Sequence, residues 1–103
     1  MSVRSIAADN RDQFSDGFLA WLADNPHIWE RFVAEANAAW KTGRQHYSAR
    51  TIWEYIRHET ALRSKPGLPM EFKVNNNYCP DVARLYMLVY PARRGFFELR
   101  GRP

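Results

Sequence analysis

Apolar residues recur every three or four positions through much of the chain, the period of a helix with one buried face. From about Asp12, the spacing Phe14, Phe18, Trp21, Leu22 predicts a first amphipathic helix with acids on its outer side, stopped by "DNP". Asn25 is placed to cap a second helix that starts at Pro26, where a missing N–H costs nothing. Its stripe is Trp29, Phe32, Val33, Ala36 and Trp40; Gly43 suits a left-handed C-terminal cap, and Lys41 favours the negative end of the helix dipole. Ser48 then caps a third helix, "ARTIWEYIRHETALR", with Ile52, Tyr55, Ile56 and Leu62 facing inward and Arg50, Glu54, Arg57 and His58 outward.

The period then changes. After the breaker "SKPGLP", Met70, Phe72 and Val74 alternate with Glu71 and Lys73 as in a short half-buried strand. Three asparagines follow: Asn75 and Asn76 suit a turn, and Asn77 suits the cap of a last helix, "CPDVARLYMLVY", whose near-uniform apolarity predicts a central position. Pro91 ends that helix, and residues 96–100 offer a second extended run. The expected fold is mainly α: a compact bundle of about four helices with helix-turn-helix-like character and at most a two-stranded ribbon, 70–74 with 96–100. Residues 1–10 show no period and are expected to be a flexible N-terminus; residues 11–103 form one helical domain.

Composition supports a single core: 103 residues, 46% hydrophobic and 15% aromatic, with four Trp, six Phe and five Tyr. One cysteine precludes an internal disulfide, and no stretch reads as a signal peptide or membrane span, so a cytoplasmic protein with no membrane partner is expected. Charge is unevenly spread. Residues 1–40 hold three Arg against six Asp and Glu, whereas residues 41–103 hold twelve Arg and Lys against five acids. Of the fifteen cations twelve are Arg, the side chain suited to bidentate contact with phosphate, carboxylate or guanine.

Enzymatic patterns are weak. Cys79 has no base at a recognisable spacing, His27, His46 and His58 do not form a zinc pattern, and there is no glycine-rich phosphate loop. The chain is expected to be no enzyme and to need no cofactor. A nucleic-acid surface, with DNA the expected ligand, is the better expectation. Arg44, Arg50, Arg57, Arg84, Arg93 and Arg94 would meet backbone phosphates, and Ser48 and Thr51 would position one at the start of the third helix. Asn75, Asn76 and Tyr78 would contact base or sugar, since an asparagine amide can pair with the major-groove edge of adenine. Residues 26–62 are compatible with a helix-turn-helix that sets Arg50, Thr51, Glu54 and Arg57 against a groove, although the loop "KTGRQHYS" exceeds that motif's usual turn of about three to four residues.

Four stretches carry a resemblance: "NPHIWERF", "GRQHYSARTIWEYIRHET", "FKVNNNYCPDVARLYM" and "GFFELR". Together they resemble a family of small proteins of bacteriophages and prophages, some regarded as DNA-binding. The resemblance spans roughly residues 18 to 100 and implies a phage protein in the bacterial host cytoplasm, without a catalytic residue to transfer. It also leaves open a protein that binds and inhibits a host factor in an anti-defence or anti-CRISPR-like role, for which the acidic Asp9, Asp12, Asp16 and Asp24 offer a face, and a structural role. A homodimer remains open as well.

Overall fold

At the first described residue, Ser2 Oγ accepts from the Ser5 N–H at 3.2 Å, an N-cap that starts a helix in the region expected to be flexible. The computed structural model describes residues 2–63 and 78–97, the side chains of 60–63 excepted. Among these residues five helices form: α1 (Val3–Asp9), α2 (Phe18–Asp24), α3 (Pro26–Lys41), α4 (Ala49–Arg63) and α5 (Cys79–Val89). Short 3₁₀ turns at Arg11–Gln13 and Pro91–Arg93 follow α1 and α5. The strand expected at 70–74 and the cap expected of Asn77 lie outside the described residues.

Helix α1 corrects the sequence reading. Its apolar residues Val3, Ile6 and Ala7 stand at i, i+3 and i+4, too short a run to register as a period, yet Ala7 is fully buried, Val3 and Ile6 pack against the core, and the helix meets α2 and α5. The predicted first helix is correspondingly shorter, its beginning replaced by the 3₁₀ turn and by Gly17, which enters α2 at φ +86°. An ideal Cβ on Gly17 would sit 2.9 Å from the Tyr78 hydroxyl, so both backbone and space require glycine there.

Asn25 does another job than the one expected. It occupies the N-cap position of α3 without a capping bond, while its Nδ2 donates to the Trp21 carbonyl at 2.9 Å and closes the end of α2. Pro26 and Gly43 behave as predicted, Gly43 turning the chain at φ +88° after α3. Ser48 also caps as predicted, its Oγ accepting from the Thr51 N–H at 3.2 Å.

The buried face of α4 is rotated from the expected one. Ile52, Trp53 and Ile56 are buried, whereas Tyr55 is 48% exposed. At about 100° per residue, Tyr55 lies roughly 100° from the mean direction of those three, so burying the largest of them, Trp53, turns Tyr55 outward. Trp53 meets Trp21 at 5.9 Å between centroids and Phe32 at 6.3 Å. Helix α5 takes the central place its apolarity predicts, packing against α1, α3 and α4 with Val82, Ala83, Leu85 and Tyr86 buried.

The last described residues dock onto the loop after α3. Tyr47 N–H donates to the Phe96 carbonyl at 3.0 Å, and Tyr47 and Phe97 form an isolated parallel bridge. Phe96 and Phe97 are both buried, and Phe97 reaches Phe32 at 5.4 Å. Among the described residues the extended run therefore pairs with the α3–α4 loop.

Candidate nucleic-acid interface

The arginines expected at a ligand divide into two groups. Arg93 leaves the 3₁₀ turn and folds back over the bundle, where one guanidinium nitrogen donates to Asn37 Oδ1 and to the Tyr86 hydroxyl, each at 2.6 Å. The same group lies 4.9 Å from the Trp40 ring and 4.8 Å from the Tyr90 ring. Arg84 donates to the Gln13 carbonyl at 2.9 Å and sits 3.4 Å from Asp81 Oδ1, with 19% of its side chain exposed. Asp81 is itself buried and its Oδ1 also accepts from the Ser15 N–H at 3.2 Å. Both cations hold parts of the framework together, Arg84 joining α5 to the turn at Gln13 and Arg93 joining the turn after α5 to α3.

The other four remain at the surface on joined elements. Arg44 lies in the α3–α4 loop, 5.4 Å above the Tyr47 ring. Arg94 follows the 3₁₀ turn, and the loop and the turn are held together by the Tyr47 to Phe96 bond and by His46 Nδ1 against the Gly95 carbonyl at 3.2 Å. Arg50 and Arg57 project from α4, flanking Glu54 at 2.9 and 3.8 Å. Arg50 keeps 64% and Arg57 46% of its side chain exposed. Ion pairs this exposed contribute at most about 1 kcal/mol and exchange readily for a phosphate partner.

Of the remaining expected contacts, Thr51 is exposed beside Arg50, while the Ser48 hydroxyl already serves the helix cap. Tyr78 is half-buried, its ring 5.2 Å from Trp21 and 5.8 Å from Phe18, so it packs the core edge and does not stand free for a sugar. Asn75 and Asn76 lie outside the described residues. The connection from α3 to α4 spans residues 42–48 and carries the Phe97 bridge, which distinguishes it from the tight turn of a helix-turn-helix.

A feature the sequence reading missed is a surface hollow of about 350 Å³, lined by Trp40, Gly43, Arg44, Gln45, Arg94 and Phe96. "KTGRQ" and "RRGFF" signal it only once the Tyr47 to Phe96 bond brings them together.

Cys79 opens α5 and is buried, and desolvation pushes its thiol from 9.0 up to about 11, with Arg50 lowering and Glu54 raising it further. Burial therefore outweighs any activation by the helix start, and the group is a poor nucleophile at neutral pH. Among the described residues, no cluster of three or more His, Cys, Asp or Glu could hold a metal ion, and no helix is long and apolar enough to cross a membrane. No family model, curated protein or solved structure matches the chain.

Proposed function

We propose that this chain is a non-enzymatic nucleic-acid-binding protein of the phage type its sequence resembles, acting in the host cytoplasm and gripping backbone phosphates through Arg44, Arg50, Arg57 and Arg94. The observation that carries the reading is the sorting of the arginines: once the framework has taken Arg84 and Arg93, the other four stand exposed on one joined stretch of loop, helix face and turn. The basic balance of residues 41–103 adds a favourable field for a polyanion.

The test is fluorescence anisotropy with random single- and double-stranded DNA and RNA across a salt series. Binding should weaken steeply with salt, and Arg50→Ala or Arg57→Ala should each lower the slope of log K against log salt by about 0.9 on duplex DNA, one phosphate's share. Weak binding that is flat in salt overturns the reading. One observation favours the protein-binding alternative: Tyr55 is 48% exposed on α4, with the Arg31 guanidinium 5.4 Å above its ring, the residue types that anchor protein interfaces.

A further inference from the structure

The hollow between the α3–α4 loop and the turn after α5 has a composition that the phosphate-gripping surface alone does not require. Its volume, about 350 Å³, falls within the roughly 300–1,000 Å³ of small-molecule pockets. Two guanidinium groups, Arg44 and Arg94, stand among its lining residues and, among the described residues, no carboxylate does, so it suits an anion. Trp40 supplies an aromatic wall. Arg93 covers one face of that indole at 4.9 Å and the Phe96 ring stands nearly perpendicular to it, centroids 5.2 Å apart, so the indole is fixed before any ligand arrives. Gln45 brings an amide able to donate and accept at a base edge. Gly43 leaves its side open, since an ideal Cβ there would meet nothing within 4 Å.

An anion with a flat aromatic body and a polar edge is a nucleotide. A base inside a duplex is stacked on both faces and cannot enter a hollow without leaving the helix. We infer that this hollow takes one unpaired nucleotide, its base against Trp40 and its phosphate between Arg44 and Arg94. The inference rests on the nucleic-acid reading and narrows it: single strands bind in preference to duplex, because stacking on a fixed ring adds to phosphate contact without regard to sequence.

The experiment titrates the full chain with three probes at one salt concentration: an oligothymidylate decamer, the same decamer with abasic sugars throughout, and a duplex of equal length. Thymidine monophosphate serves as competitor. The decamer should bind about tenfold more tightly than its abasic counterpart. That ratio should fall toward one in Trp40→Leu and in Gly43→Asn, the second chosen because asparagine tolerates the left-handed backbone and obstructs the hollow without disturbing the core. Arg44→Gln and Arg94→Gln should weaken the decamer and its abasic form alike. Competition by the mononucleotide at the decamer's own concentration range would assign the site to a free nucleotide and would also support the inference. Equal, salt-sensitive binding of all three probes, or preference for duplex, overturns the inference while sparing the phosphate-gripping surface. Failure of every probe to bind overturns both.

Discussion

Replacing Arg93 by Ala tests whether this arginine belongs to the framework or to the proposed ligand surface. Arg93 donates two hydrogen bonds of 2.6 Å, to Asn37 and Tyr86, and lies within 5 Å of the Trp40 and Tyr90 rings. Hydrogen bonds from a charged group contribute roughly 1.5–3 kcal/mol each, and partial exposure argues for the lower end, so about 3 kcal/mol for the pair. Contact with the two rings adds about 1 kcal/mol, and releasing the arginine rotamers returns between 1 and 2, roughly. The expected net loss is about 2–3 kcal/mol. At about 4 °C per kcal/mol for a domain of this size, the thermal midpoint should fall by roughly 10 °C. Urea unfolding followed by circular dichroism should show the same loss as a lower midpoint at unchanged slope. Arg93→Met, which keeps the stem over the rings and loses the donors, should fall between wild type and Ala. The Tyr86 phenol gives an independent readout: burial raises it above its ordinary value and Arg93 lowers it, so removing Arg93 should move its titration further up. A variant that loses less than about 0.5 kcal/mol and instead sheds one phosphate's worth of salt dependence would refute this account, and Arg93 would return to the ligand surface.

Two further perturbations follow from buried contacts. The Cys79 thiol titrates at about 11 in the folded chain against 9.0 ordinarily, so between these values the unfolded chain gives up a proton that the native chain retains. Stability should therefore fall as pH rises from about 9 to 11, by roughly 1.4 kcal/mol per unit, and Cys79→Ala should lessen that fall; identical pH dependence in the two proteins would contradict it. Gly17→Ala forces a left-handed backbone onto a residue with a Cβ and drives that atom to 2.9 Å from the Tyr78 hydroxyl, an expected cost of about 2–3 kcal/mol. In a Tyr78→Phe background the cost should shrink to about 1–2 kcal/mol, and an unchanged penalty in thermal unfolding would show that the hydroxyl contact contributes nothing.

The long helices were legible because each repeats its apolar period over several turns: α3 and α5 lie within about a residue of their expected bounds. Caps were legible only where one side chain had one candidate role. Ser48 met its helix as expected, but Asn25 stands between two helix ends and its amide closes the earlier one, a choice set by which carbonyl is in reach. Helix α1 was invisible for an energetic reason. Its stripe, Val3, Ile6 and Ala7, spans little more than one turn, too short to stand out in the sequence, and its stability comes from packing against α2 and α5.

The site was less legible than the fold because an arginine's role depends on what lies across from it, and those partners are far away in sequence. Arg93 meets Asn37 and Trp40 from the opposite half of the chain, and Arg84 meets Gln13. Nothing in "ARLY" or "PARRG" distinguishes these from Arg94, one position on, which stays at the surface. The distinction has a functional consequence. Arg93 and Arg94 are adjacent, and the first fixes the turn by reaching into the bundle while the second is carried to the rim of the hollow. The framework arginine thereby sets the position of the exposed one and of the Trp40 indole at once. A loss of nucleic-acid binding in Arg93→Ala would accordingly come with a lower thermal midpoint and an unchanged salt slope per bound phosphate, whereas Arg94→Gln should weaken binding in a protein as stable as wild type.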